Sequence, residues 1–290
     1  MTGGGTLFVV ATPIGNLGDI TLRAIETLRI VPLIAAEDTR LTRRLLQRHA
    51  IDVPLTPFHA KSGPGRMEAL LEHLRSGADL ALVSDAGTPV VSDPGAELVV
   101  AWAGEGGTVV ALPGPSAVLA AVAVSGVAGP HWTFEGFLPR SGRERRERLD
   151  RICADQRGAI LFEAPNRVAG TLRDLTAACG AERPGAVCRE LTKLHETVTR
   201  GPLGELASAA ASGDIPARGE FVLVVGAWTR ARAAAEQTVS LGAARTEVER
   251  LVAAGTPRSE AARRVAAATG LPRRDLYAAD PSSSGSARDP

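Results

Sequence analysis

The chain has 290 residues, 44% of them apolar and 22% charged, with a formal net charge of +1. That length favours two domains with sizeable cores, and the near-neutral charge excludes a global basic field, leaving local patches for any nucleic-acid contact. Aromatic residues at 3% rule against a surface built on stacked bases.

The first predicted strand, Leu7–Ala11, runs into ATPIGNLGDIT, where Gly15 and Gly18 allow close approach of main chain to a ligand. The loop has neither a GK[ST] ending nor GxGxxG spacing, so no phosphate cradle is expected. Asp19 or Thr21 caps the first helix. The second strand, Leu33–Glu37, ends in AEDTR, so the adjacent acids Glu37 and Asp38 reach a strand's carboxyl end, where side chains point into a crevice. Asp38 or Thr39 is also placed to cap a helix whose inward face takes Leu41, Leu45 and Leu46. Its Arg43, Arg44 and Arg48 serve equally as a solvated face or a phosphate-contacting one. A third strand, Pro54–Phe58, precedes a helix with Met67, Leu70, Leu71 and Leu74 inward and Gly77 at its end. The fourth, Leu80–Ser84, leads into SDAGTP, and the fifth, Thr108–Leu112, into LPGPSA. Alternation of this kind implies a largely parallel sheet covered by helices, with ligands beyond the carboxyl ends of its strands.

A proline pair in PGP at 113–115 marks a hinge between an α/β domain over 1–113 and a second over 114–230. The second holds strands in WTFEGFL, GAILFEA, GAVCREL and GEFVLVVGA, with helices around 143–155, 166–179 and 202–211. Its connections imply some antiparallel pairing. Within it, GFLPRSGRERRERLDR reads either as a salt-bridged surface helix or as an arginine track for phosphodiesters. Asn166 in FEAPNR is an expected helix cap. RELTKLHET carries Lys193, one of two lysines in a chain that otherwise uses arginine; an ion pair with Glu190 or Glu196 competes with a role in holding substrate. Residues 239–280 read as a small helix-turn-helix-like unit, and 281–290 as a disordered tail.

Cys153, Cys179 and Cys188 lack metal or CxxC spacing and are expected to be reduced core residues. The histidines form no metal-binding pattern, so no metal is expected. No signal-peptide pattern opens the chain, and its most apolar stretch, AVLAAVAV, is far short of the roughly 20 residues of a membrane span. A cytoplasmic protein without membrane contact is expected.

VVATPIGNLGDITLRAIETL, AEDTRLTRRLL, SDAGTPVVSDPG, LPGPSA, FEGFLPR, LFEAPNR, RELTKLHET and GEFVLVV follow one another in this order. Together they resemble the ribosomal RNA small subunit methyltransferase I branch of the tetrapyrrole methylase superfamily, over about residues 6–228, and the terminal helices resemble that branch's C-terminal domain. The resemblance implies a two-domain α/β fold, a mostly parallel sheet followed by a mixed one, with S-adenosylmethionine between them. It also implies 2′-O-methylation of a cytidine in small-subunit (16S) ribosomal RNA, naked or in the assembled 30S subunit, by a homodimer. Donor contacts carried over are Pro13, Asp85, Thr88, Ser116, Ala117, Phe162 and Leu191. Asp38 is the expected base or orienter, and Lys193 the group that stabilises the developing alkoxide or holds a phosphate. Arg40, Arg43, Arg140, Arg143, Arg145 and Arg146 are the expected RNA contacts. The chain departs from its relatives in FHAKSGPGR, where a His-Asn-Glu stretch is usual, and at Asn166, where histidine is usual. A tetrapyrrole methyltransferase is the rival reading.

Overall fold

The computed structural model describes residues 3–228, 230–269 and 271–277. The chain divides after Ala227 into two compact units. In the first, β1 (Thr6–Val10), α1 (Leu22–Ile30), β2 (Leu33–Ala36), α2 (Thr39–Arg48), β3 (Leu55–Pro57), α3 (Pro64–Arg75), β4 (Leu80–Val83), α4 (Ala96–Gly104) and β5 (Thr108–Leu112) alternate along the chain. The five strands pair in the order β3-β2-β4-β1-β5, all parallel. Each pair of successive strands here is joined by a helix that crosses back over the sheet, which only parallel pairing accommodates. α1 and α2 bury Leu28, Leu45 and Leu46 against Val10 and Ile34 on one face. On the other, α3 and α4 bury Leu70, Leu74, Leu98 and Trp102 against Leu7 and Leu80.

Then come α5 (Ala117–Ser125), β6 (Trp132–Phe137), α6 (Gly142–Ala154), β7 (Gly158–Glu163), α7 (Val168–Cys179), β8 (Pro184–Arg189), β9 (Thr197–Pro202), α8 (Leu203–Ser212) and β10 (Phe221–Val225). The second sheet has the order β6-β7-β10-β8-β9, with β6 parallel to β7 and the other pairs antiparallel. The mixed pairing expected from the sequence is present. Ile14, from the loop after β1, joins Val118, Ala121, Ile160 and Val222 in the core that this sheet shares with α5. Arg183 is fully buried, and its guanidinium donates to the carbonyls of Gly226, Ile152, Cys153, Asp155 and Arg157. It thereby ties the ends of α6 and β10 to the start of β8.

The second unit holds α9 (Arg230–Ala253), α10 (Arg258–Thr269) and α11 (Arg273–Tyr277), closed on Val248, Ala261, Ala262, Val265 and Leu276. The expected tail over 281–290 and the end of the 239–280 unit lie outside the described residues.

Some local expectations hold and others are overturned. Thr21 caps α1 through Ala24 N–H, while Asp19 sits in a 3₁₀ turn capped by Asn16. Leu41 is 43% exposed because the buried stripe of α2 runs through Thr42, Leu45 and Leu46, at i, i+3 and i+4. Asn166 caps nothing; it is exposed in a 3₁₀ turn, Pro165–Arg167, that precedes α7. Strand β9 was missed because TVTRGP is a polar edge strand with Val198 its only large aliphatic residue. Of the cysteines only Cys188 is buried; Cys153 is exposed at the end of α6.

Candidate active site

A cavity of about 460 Å³ lies where the carboxyl ends of the first sheet meet the second. That size falls within the roughly 300–1,000 Å³ usual for small-molecule sites. The loops after β1 and β4 are stitched together at its floor: Thr12 N–H donates to the Gly87 carbonyl at 2.8 Å, and Gly87 N–H returns the bond at 3.0 Å. Gly87 has φ +81°, and a side chain there would meet Ile14 Cγ2 at 3.4 Å, so the backbone itself forms the wall. Of the expected donor contacts, Asp85, Thr88, Ser116, Ala117, Phe162 and Leu191 all line the cavity. Pro13 is buried one residue before Ile14, which takes the lining position. Ser116 caps α5 by accepting Leu119 N–H. Phe162 packs edge-on to Phe134 at 5.0 Å and tilted to Phe137 at 5.6 Å, which makes a firm apolar wall.

The acids divide sharply by their surroundings. Asp38 does not line the cavity. Its carboxylate caps α2 by accepting Arg40 N–H at 2.8 Å and pairs with the Arg40 guanidinium at 2.7 Å. These bonds hold its pKa down at about 2. Its neighbour Glu37 does line the cavity, together with Asp85 and Asp93. Asp85 accepts Asp38 N–H at 2.8 Å, and Glu37 accepts Asp85 N–H at the long distance of 3.5 Å, so the loops after β2 and β4 clasp each other. Burial raises the pKa of Glu37 and of Asp93, and the Asp85 charge pushes both further up. Among the described residues, no cation pairs with Glu37, Asp85 or Asp93.

The opposite wall also carries acids, but neutralised ones. Glu163, 3% exposed, accepts the Thr171 hydroxyl at 2.6 Å and pairs with Arg167 at 3.2 Å. Glu220 pairs with Lys193 at 3.1 Å, and Glu190 holds the same ammonium at 3.0 Å. Lys193 lies on a strap over 190–196 with left-handed backbone at Glu190 (φ 53°) and Thr192 (φ 68°). Arg189 pins this strap by donating to the carbonyls of Arg218 and His195. The stem of Lys193 crosses Gly15, where a side chain would meet Lys193 Cγ at 2.4 Å. Gly15 therefore leaves the room that this crossing uses.

Arg40, Arg43, Arg140, Arg143 and Arg146 are exposed, and Arg143 pairs with Glu147. Arg145 is different: it is 8% exposed and donates to Asp174, Thr171 and the Pro139 carbonyl. The structure places this arginine in the scaffold, because it shares the inward stripe of α6 with Leu149 and Ile152. Asp93 and Glu220 were missed in the sequence. Asp93 had one usable signal, since SDPG repeats the Ser-Asp pair of SDAG.

Residues 6–207 match the family Tetrapyrrole (Corrin/Porphyrin) Methylases. The chain is 48% identical over 221 residues to ribosomal RNA small subunit methyltransferase I of Xylella fastidiosa, covering 76% of this chain and 81% of that one. Cobalt precorrin-4 methyltransferase, a cobalamin biosynthetic enzyme, shares the fold with TM-score 0.58 at 18% identity, over 76% of this chain and 94% of its own. Uroporphyrin-III C-methyl transferase of Thermus thermophilus, solved with S-adenyl homocysteine, follows with TM-score 0.54 at 18% identity, over 77% and 97%. No helix among the described residues is long and apolar enough to cross a membrane.

Proposed function

Because the chain belongs to the tetrapyrrole methylase family, in the branch named ribosomal RNA small subunit methyltransferase I, we propose that it methylates the ribose 2′-hydroxyl of a cytidine in small-subunit ribosomal RNA. The donor is S-adenosylmethionine, and the enzyme acts in the cytoplasm as a homodimer. One observation carries the choice of substrate: unneutralised carboxylates line the cavity, while exposed arginines lie on α2 and at the start of α6. An acidic cavity suits a cationic sulfonium and repels phosphate. Arginines in solvent suit the phosphodiesters that flank a target ribose.

When bound, the donor supplies a methyl group already activated on sulfur. Asp85, Thr88, Ser116, Ala117, Phe162 and Leu191 would hold it, with Pro13 behind them. Small side chains and backbone make up much of this cradle, which fits a ligand without phosphate groups. Catalysis then rests chiefly on orientation, where alignment of two reactants recovers roughly 7–11 kcal/mol. Asp38 takes the orienting role, holding Arg40 at the start of α2 beside the Glu37–Asp85 clasp. Lys193 holds the strap that carries Leu191.

The test is methyl transfer from labelled donor to purified 30S subunits, to naked 16S RNA and to a uroporphyrinogen, followed by mass spectrometry of the RNA. A 2′-O-methylcytidine in the RNA supports the proposal. Transfer to the tetrapyrrole alone would replace it with the rival activity.

A further inference from the structure

Resting on the methyltransferase reading, we infer that Glu37 is the group that takes the proton from the attacking ribose hydroxyl. Five carboxylates line the cavity: Glu37, Asp85, Asp93, Glu163 and Glu220. Glu163 is committed to Thr171 and Arg167, and Glu220 to Lys193. Asp85 holds the Asp38 N–H at 2.8 Å, and the Ser84 side chain beside Asp93 favours its ionised form and so weakens it as a base. Glu37 has only the 3.5 Å bond from Asp85 N–H to one oxygen, so it is the carboxylate most free to accept a new hydrogen bond. Asp38, which the sequence offers with equal force, is excluded by its partner. A carboxylate held by both Arg40 N–H and the Arg40 guanidinium is a weak base.

The charges around Glu37 strengthen its basicity. Burial, Asp85 and Asp93 all raise its affinity for a proton, while the Asp85 N–H and His59 oppose them more weakly. A base whose pKa is raised towards the working pH is the more effective proton acceptor. The ribose oxygen forms its bond to the methyl carbon as the carbon–sulfur bond breaks, and that electron pair stays on sulfur, leaving a neutral thioether. The hydroxyl proton passes to the Glu37 carboxylate, which becomes a neutral acid and returns the proton to water.

Two variants of the full chain, Glu37→Gln and Glu37→Asp, test this against 30S subunits. Glu37→Gln should lower kcat by about 10²–10⁴-fold and remove the acid limb of the kcat–pH profile, while S-adenosylmethionine affinity by calorimetry changes little. Glu37→Asp should recover part of the rate, and it carries the test if the glutamine variant fails to fold. Calorimetry in buffers of different ionisation enthalpy gives a readout independent of turnover. Wild type should release protons on binding the cationic donor and fewer on binding its neutral thioether product. In Glu37→Gln that difference should shrink, with Asp93 on the same wall supplying what remains. A glutamine variant with wild-type kcat, or one that keeps the acid limb, overturns the inference; so does one that loses donor binding, which would make Glu37 a donor ligand. If wild type itself methylates no ribosomal RNA, the functional reading fails instead.

Discussion

The two walls of the cavity are built from sheets of the same strand number, yet only one wall carries free charge. In the all-parallel sheet every strand ends on the same edge, so the loops after β1, β2, β4 and β5 converge there. Glu37, Asp85 and Asp93 come from these loops, and among the described residues none of them meets a pairing cation. In the mixed sheet, antiparallel neighbours send loops both ways, and the wall is made largely of the sheet face and its aromatic cluster. The acids that do reach it, Glu163 and Glu220, are matched by Arg167 and Lys193. Parallel pairing thus concentrates chemistry at one edge, and mixed pairing supplies the surface against which it works.

The largest effect should come from unpairing the neutralised wall. Arg167→Met leaves Glu163 buried without its cation, and removing one partner of a buried pair costs about 3–5 kcal/mol; urea unfolding should show it. Arg167 also donates to the Leu138 and Pro139 carbonyls, so the loop entering α6 should loosen with it. Gly15→Ala comes next, because its methyl group meets the Lys193 stem. Overpacking of that kind costs about 1–3 kcal/mol. The added Lys193→Ala change should restore most of it in a double-mutant cycle by thermal melting.

The arginines of α6 give a sharper contrast at smaller cost. Arg146→Ala should leave the melting temperature unchanged and lower the slope of log affinity against log salt for 16S RNA by about 0.7–0.9. Arg145→Met should lower the melting temperature instead, since that guanidinium is bonded inside. The smallest effect is on the free wall. The folded pKa of Asp93 is raised by burial, so this group stabilises the fold in its protonated form, and that contribution is lost as pH rises through the folded value. Asp93→Asn should therefore raise the melting temperature at pH 7, with the gain shrinking as the wild type is acidified.

Much of the site was legible in the sequence because the motifs that carry it are local. SDAGTP and LPGPSA announce their strand ends, and six of the seven expected donor contacts reach the cavity, with Pro13 immediately behind. Two further features of the site are legible from local pattern. The 3.6-residue period placing Leu149 and Ile152 inside α6 also places Arg145 there. An aspartate at a helix start is a preferred cap, and a capping carboxylate is already bonded to backbone, which disfavours Asp38 as a base.

The sequence by itself determined the alternation of strands and helices, the convergence of glycine-rich loops on one sheet edge, and the family. These follow from periodicity and backbone freedom, which act over a few residues. Only the tertiary structure decided which acid stays free. Some neutralising cations are near in sequence, as Arg40 is for Asp38 and Arg167 for Glu163, but Lys193 reaches Glu220 only through the fold. Ion pairing is set by distance in space, which the order of residues gives only for near neighbours.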